Sequence, residues 1–120
     1  MNTFEVCKAV CHLSETIAGA GIIVDNKLVA MDARPGVAVP NDDRFEKMFF
    51  QATLIANIMI GNSDFFGQAR YFTLHFQNAD LFFFLLSDHG IQGVLAVQVL
   101  QQHDHEEIVS RINALLADSL

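Results

Sequence analysis

Residues Arg44–Ile60 read RFEKMFFQATLIANIMI, and this stretch decides the fold. Asp43 ahead of it suits a helix cap and Glu46 completes a capping box, so a helix is expected from about Arg44 to Ile60, ended by Gly61-Asn62. Phe45, Met48, Phe49, Ala52, Ile55 and Met59 share one face at helical spacing. Phe50, Leu54 and Ile58 make a second stripe, interrupted only by Gln51, Thr53 and Asn57. A helix apolar nearly all round must be buried on more than one side. A sheet can cover the first face. The second is expected to meet another subunit, because burying each Phe, Leu or Ile contributes about 1.5–3 kcal/mol and a wet patch of them marks an interaction site. The competing expectation is that Phe65-Phe66 fold back over it.

Working outward, Asn2 to Ala18 places Val6, Val10, Leu13 and Ile17 on one helical face, with Gly19 and Gly21 read as the stop. Ile22-Ile23-Val24 and Leu28-Val29-Ala30-Met31 flank Asp25-Asn26-Lys27, a hairpin whose Asp-Asn tolerates positive φ. Consecutive apolar residues in both strands predict cover on two faces. Arg34-Pro35-Gly36-Val37 has the type II turn signature. Downstream, Arg70 to Gln77 alternates, with Phe72, Leu74 and Phe76 opposite Tyr71, Thr73, His75 and Gln77, which suits an edge strand. Asn78-Ala79-Asp80 reads as a turn, Leu81 to Leu86 as a central strand, and Val94 to Leu100 as another buried one. Asp104 and Glu107 open a last helix with Ile108, Ile112 and Leu115 on its inner face.

The order is helix-strand-strand-helix-strand-strand-strand-helix. It predicts an α+β sandwich, a five-stranded antiparallel sheet with helices on both faces, in one domain over residues 1–120. At 120 residues, 52% of them apolar and 18% charged, the chain has material for a single core. Its net charge of −7 repels phosphate backbones, which weighs against nucleic acid. The longest uncharged run, between Lys47 and Asp64, is broken by Gln51, Thr53, Asn57 and Asn62 and falls short of a membrane span of about 20 apolar residues. Glu5, Lys8, His12 and Glu15 interrupt any signal-peptide core, so a cytoplasmic location is expected.

Chemistry is sparse. No phosphate-cradling glycine loop and no G-x-S-x-G serine occurs, so neither a catalytic residue nor a cofactor site is expected. Cys7 and Cys11 read as small buried hydrophobes. His103-Asp104-His105 lacks a third metal ligand nearby and reads as a capping turn with solvated histidines; no metal is expected. His75, on the polar side of the alternating strand, reads as a surface histidine, with a place at a dimer seam as the alternative. Phe82-Phe83-Phe84 has no basic companions for stacking bases and belongs to the core.

The hairpin GIIVDNKLVA, the helix RFEKMFFQATLIANIMI and the strands YFTLHF, LFFFLL and GVLAVQVL resemble the roadblock/dynein light chain family of profilin-like folds over almost the whole chain. The hairpin has Asn26-Lys27 where that family often has Asp-Gly. The resemblance implies a non-enzymatic homodimer in which the second helices pack side by side and the third strands join two sheets. Carried onto this chain, the dimer surface is Phe49, Phe50, Thr53, Leu54, Asn57 and Ile58 on the helix and Arg70, Tyr71, Phe72, Thr73, Leu74 and His75 on the strand. It also implies a scaffold or regulator of a small Ras-like GTPase, or a part in a signalling or motor assembly. Two other readings are weighed: a small-ligand sensor of profilin- or PAS-like fold, favoured by the excess of Phe and Met, and an acidic secretion chaperone. The chaperone needs a third strand before the middle helix, in Pro35–Pro40.

Overall fold

The structure, a computed structural model, describes residues 1–37 and 42–119. Helix α1 (Thr3–Cys11) leads into the hairpin β1 (Ile17–Val24) and β2 (Lys27–Ala33). Helix α2 (Asp42–Gly61) and the single-turn helix α3 (Ser63–Phe66) follow. The meander β3 (Tyr71–His75), β4 (Ala79–Leu85) and β5 (Gly93–Leu100) then leads to helix α4 (His105–Ser119). The strands form one antiparallel sheet in the order β2-β1-β5-β4-β3, so β1 and β3 are not neighbours and β2 and β3 are the edges. The expected sandwich is what forms.

Each face of the sheet has its own core. On one, Val6, Cys7 and Val10 of α1 and Ile108, Ile112 and Leu116 of α4 pack on Ile22, Phe82, Phe84, Leu95 and Val97. On the other, Phe49, Ala52 and Ala56 of α2 pack on Ile23, Phe83, Leu85 and Val94. Alternation delivers this division: neighbours such as Phe82 and Phe83 point to opposite layers. Leu116, rather than Leu115, is the third fully buried residue of α4; Leu115 packs at the margin.

Several local readings hold. The Asp25-Asn26 turn has φ of 52° and 63°, the two positive values a two-residue hairpin turn requires. Gly36 has φ of 81° and the Val37 amide donates to the Arg34 carbonyl, as the type II reading demands. Both cysteines are free and buried; burial, their mutual proximity and nearby Asp32 push the Cys7 thiol up to about 11, and burial with Asp32 does the same for Cys11. Asp104 caps α4 through the Glu107 amide.

Others are corrected. Helix α1 stops at Cys11 and not at Ala18; Gly19 and Gly21 lie inside β1. The chain leaves the helix because Arg34 collects its end: the guanidinium donates to the carbonyls of Cys11, Ser14 and Ile17 at 2.9, 2.7 and 2.7 Å. Strand β2 is not covered on two faces, being an edge with Val29 and Met31 exposed. Asp43 lies within the first turn of α2, and the cap position ahead of Asp42 is outside the described residues. Of Pro35–Pro40, residues 35–37 are turn and 38–40 are outside the described residues. Among the described residues two strands precede α2 and three follow it. At Gly93, β5 approaches β1 so closely that a Cβ would stand 2.2 Å from the Ile23 carbonyl oxygen; only glycine fits.

Candidate protein interface

Helix α2 turns its two faces to different surroundings. Phe49 is buried in the protein's own core, stacked on Phe45 at 5.4 Å between ring centres, as its stripe predicts, so it is not open to a partner as the family resemblance implies. One residue on, Phe50 is 59% exposed, and Leu54 and Ile58, one and two turns further, are 47% and 65% exposed. Thr53 sits between the faces and donates to the Asn26 side chain at 2.7 Å, which ties the helix to the hairpin turn. Asn57 is exposed beside the stripe.

Phe65 and Phe66 do not fold back over these residues. They form α3, pack edge to face on each other and remain the most exposed large apolar residues. Ile60 is exposed as well. The competing expectation, that Phe65-Phe66 cover the stripe, is thus not met; two aromatics next to a glycine carry no periodic signal that would have settled it.

Strand β3 is an edge, as its alternation predicts, but it is shorter than Arg70–Gln77. Arg70 precedes it, exposed, while its carbonyl accepts from the Leu85 amide at 2.8 Å. Phe72 and Leu74 face the α2 layer, with Phe72 stacked on Phe83 at 4.8 Å. Tyr71 faces the other layer, stacks on Phe84 and shares a hydrogen bond with His105 through its hydroxyl. The buried Thr73 hydroxyl has no partner, an unmet group on the strand whose outer backbone is also open.

Sequence reasoning missed a polar cluster at the far end of this edge. Asp80 is no turn residue; it lies in β4, opposite His75, and is buried. Its carboxylate only accepts, so the ring nitrogens that face it must carry hydrogens. His75 donates from Nδ1 to one oxygen, Gln101 donates to the same oxygen at 2.9 Å, and His103 donates from Nε2 to the other at 2.9 Å. The His103 side chain is thus buried and not solvated, while His105 packs on the Phe82 ring. The pair reads as solvated only because the partner, Asp80, is distant in sequence.

A helix stripe that is apolar and wet, and an open sheet edge that carries the unmet Thr73 hydroxyl, are the features this arrangement offers to a partner. The architecture is found in solved structures. A roadblock/LC7 domain from Streptomyces avermitilis superposes with a TM-score of 0.73, covering 98% of this chain and 94% of that one at 12% identity. The fold is that of the roadblock/LC7 domains. Myxococcus xanthus MglB shares it, with a TM-score of 0.70, the same coverage and 13% identity. An MglB in a tetrameric arrangement reaches a TM-score of 0.74 at 9% identity, over 95% of this chain and 82% of that one. No protein-family model matches the chain, and no curated protein matches it in sequence. The roadblock/LC7 fold thus rests here on shape, with sequences far apart.

Proposed function

We propose that this chain is a non-enzymatic, cytoplasmic homodimer whose paired α2 helices and β3 edges form a platform for a protein partner, a small Ras-like GTPase or an assembly that contains one. The observation that carries the dimer is the stripe Phe50, Leu54 and Ile58, exposed in the single chain at helical spacing. Removing such a stripe from water is worth about 1.5–3 kcal/mol per side chain, which no element among the described residues collects. The unpaired outer backbone of β3, with Thr73 on it, supplies a strand that a second copy can pair. The choice of a GTPase comes from the roadblock resemblance alone. A net charge of −7 favours a partner that presents a basic patch and would speed their encounter more than tighten their complex.

Light scattering on the eluting protein tests this at two concentrations about a hundredfold apart. A mass near twice 13.3 kDa is expected at both, falling to 13.3 kDa for Phe50→Asp and for Ile58→Asp with unchanged circular dichroism. A monomeric wild type at both concentrations would overturn the dimer. A GTPase captured equally by wild type and by monomeric Phe50→Asp would overturn the platform.

A further inference from the structure

Helix α2 does not fill the sheet face it lies on. Toward the end of the sheet away from Ile23 and Val94, the side chains on this face shrink to Gly19 and Gly21 on β1, Ala33 on β2 and Ala96 on β5, and an open cleft of about 500 Å³ stands above them. Phe45 and Met48, in the first turns of α2, wall it. Its surface is mainly apolar and it has the size of a small-molecule site.

Its polar groups say what it would take. Gln98 lies on the floor, half-buried, opposite Gly19 of β1 and Leu81 of β4. Its carboxamide makes no hydrogen bond in the described structure, although the side chain offers a donor and an acceptor. Gln77 and Asn78 at the rim are also uncharged. Among the described lining residues Asp32 alone is ionisable, and strand alternation turns its side chain to the opposite layer, where its charge acts on Cys7 and Cys11. Among the described lining residues nothing would neutralise an anion, and nothing would hold a cation.

We infer that this cleft binds a neutral, largely apolar small molecule bearing one hydrogen-bonding group, which meets the Gln98 carboxamide. The site does not depend on the dimer, and it gives the chain a ligand-responsive element in addition to a protein-binding surface.

The probe is N-phenyl-1-naphthylamine, neutral and apolar with a single N–H, titrated into the full chain by fluorescence. Saturable binding at one site per chain is expected, with amide chemical-shift changes centred on Ala96 and Gln98. Ala96→Phe fills the floor and should weaken binding at least tenfold. Gln98→Leu keeps the volume and removes the amide; it should weaken this probe about threefold to tenfold, the worth of one hydrogen bond, and leave 1-phenylnaphthalene unaffected. Should Ala96→Phe fail to fold, the wild-type shifts and Gln98→Leu decide. No saturable binding, shifts centred on Leu54 and Ile58, or equal binding by a folded Ala96→Phe would each overturn the assignment. Equal loss of both probes in Gln98→Leu would overturn the role of the carboxamide.

Discussion

Donors from His75, Gln101 and His103 converge on one carboxylate, that of the buried Asp80. Burial pushes its carboxyl up, but the hydrogen bonds from Gln101, His75 and His103, with the charge on His75, outweigh this and leave it below the ordinary aspartate range. A carboxyl lowered by folding stabilises the folded state above its unfolded value of about 4, and that contribution disappears as pH falls through the lower folded value. Urea midpoints followed from about pH 7 to about pH 3 should therefore fall for the wild type. Asp80→Asn should be weaker at neutral pH by about 1–3 kcal/mol, because buried donors lose their acceptor, and should follow pH less steeply. Parallel curves for the two proteins would show that other carboxylates carry the acid limb. None of this is legible beforehand: residues 75, 80, 101 and 103 meet only after β3, β4 and the β5–α4 connection are in place, and Asn78-Ala79-Asp80 has the local composition of a turn.

Among the elements, α2 is the one the sequence describes almost completely, because its two stripes are set by a period that needs no partner to be read. That period puts Phe49 on the inner stripe and Phe50 on the outer one, and their burial agrees; Phe49 is placed at the dimer surface by the family resemblance alone. The end of α1 is the opposite case. Val6, Val10, Leu13 and Ile17 keep helical spacing through Ile17, yet the chain breaks after Cys11 and Ile17 opens β1. What decides is Arg34, beyond the next hairpin, whose guanidinium takes the carbonyls of Cys11, Ser14 and Ile17. Arg34→Met keeps the length of the side chain and strips those donors. It should cost about 1.5–3 kcal/mol in urea unfolding. A loss under about 0.5 kcal/mol would mean that water replaces the guanidinium freely.

Taken whole, the chain has a Cα radius of gyration of 13.5 Å, as compact as a single domain of its length should be at about 13.6 Å. Its exposed apolar residues are therefore not the result of a loose fold; they belong to a finished one. If α2 is covered by a second copy, stability must depend on protein concentration: the melting temperature of the wild type should rise on concentration, and that of Phe50→Asp should not. A wild-type melting temperature that ignores concentration would place the stripe outside any interface.

The two sheet edges differ in a way that bears on how many copies can join. At β2, Lys27 stands at the start, Asp32 points inward toward the thiols of Cys7 and Cys11, and Pro35, which has no amide hydrogen, follows just beyond Ala33. Charged and imino residues at an edge discourage another strand from adding. A building block with two adhesive ends grows without limit, and one with a single adhesive end stops at a pair. Pairing through β3 alone would close on a two-fold axis with the blunted β2 at both outer ends, so this sheet would count to two copies and add no third.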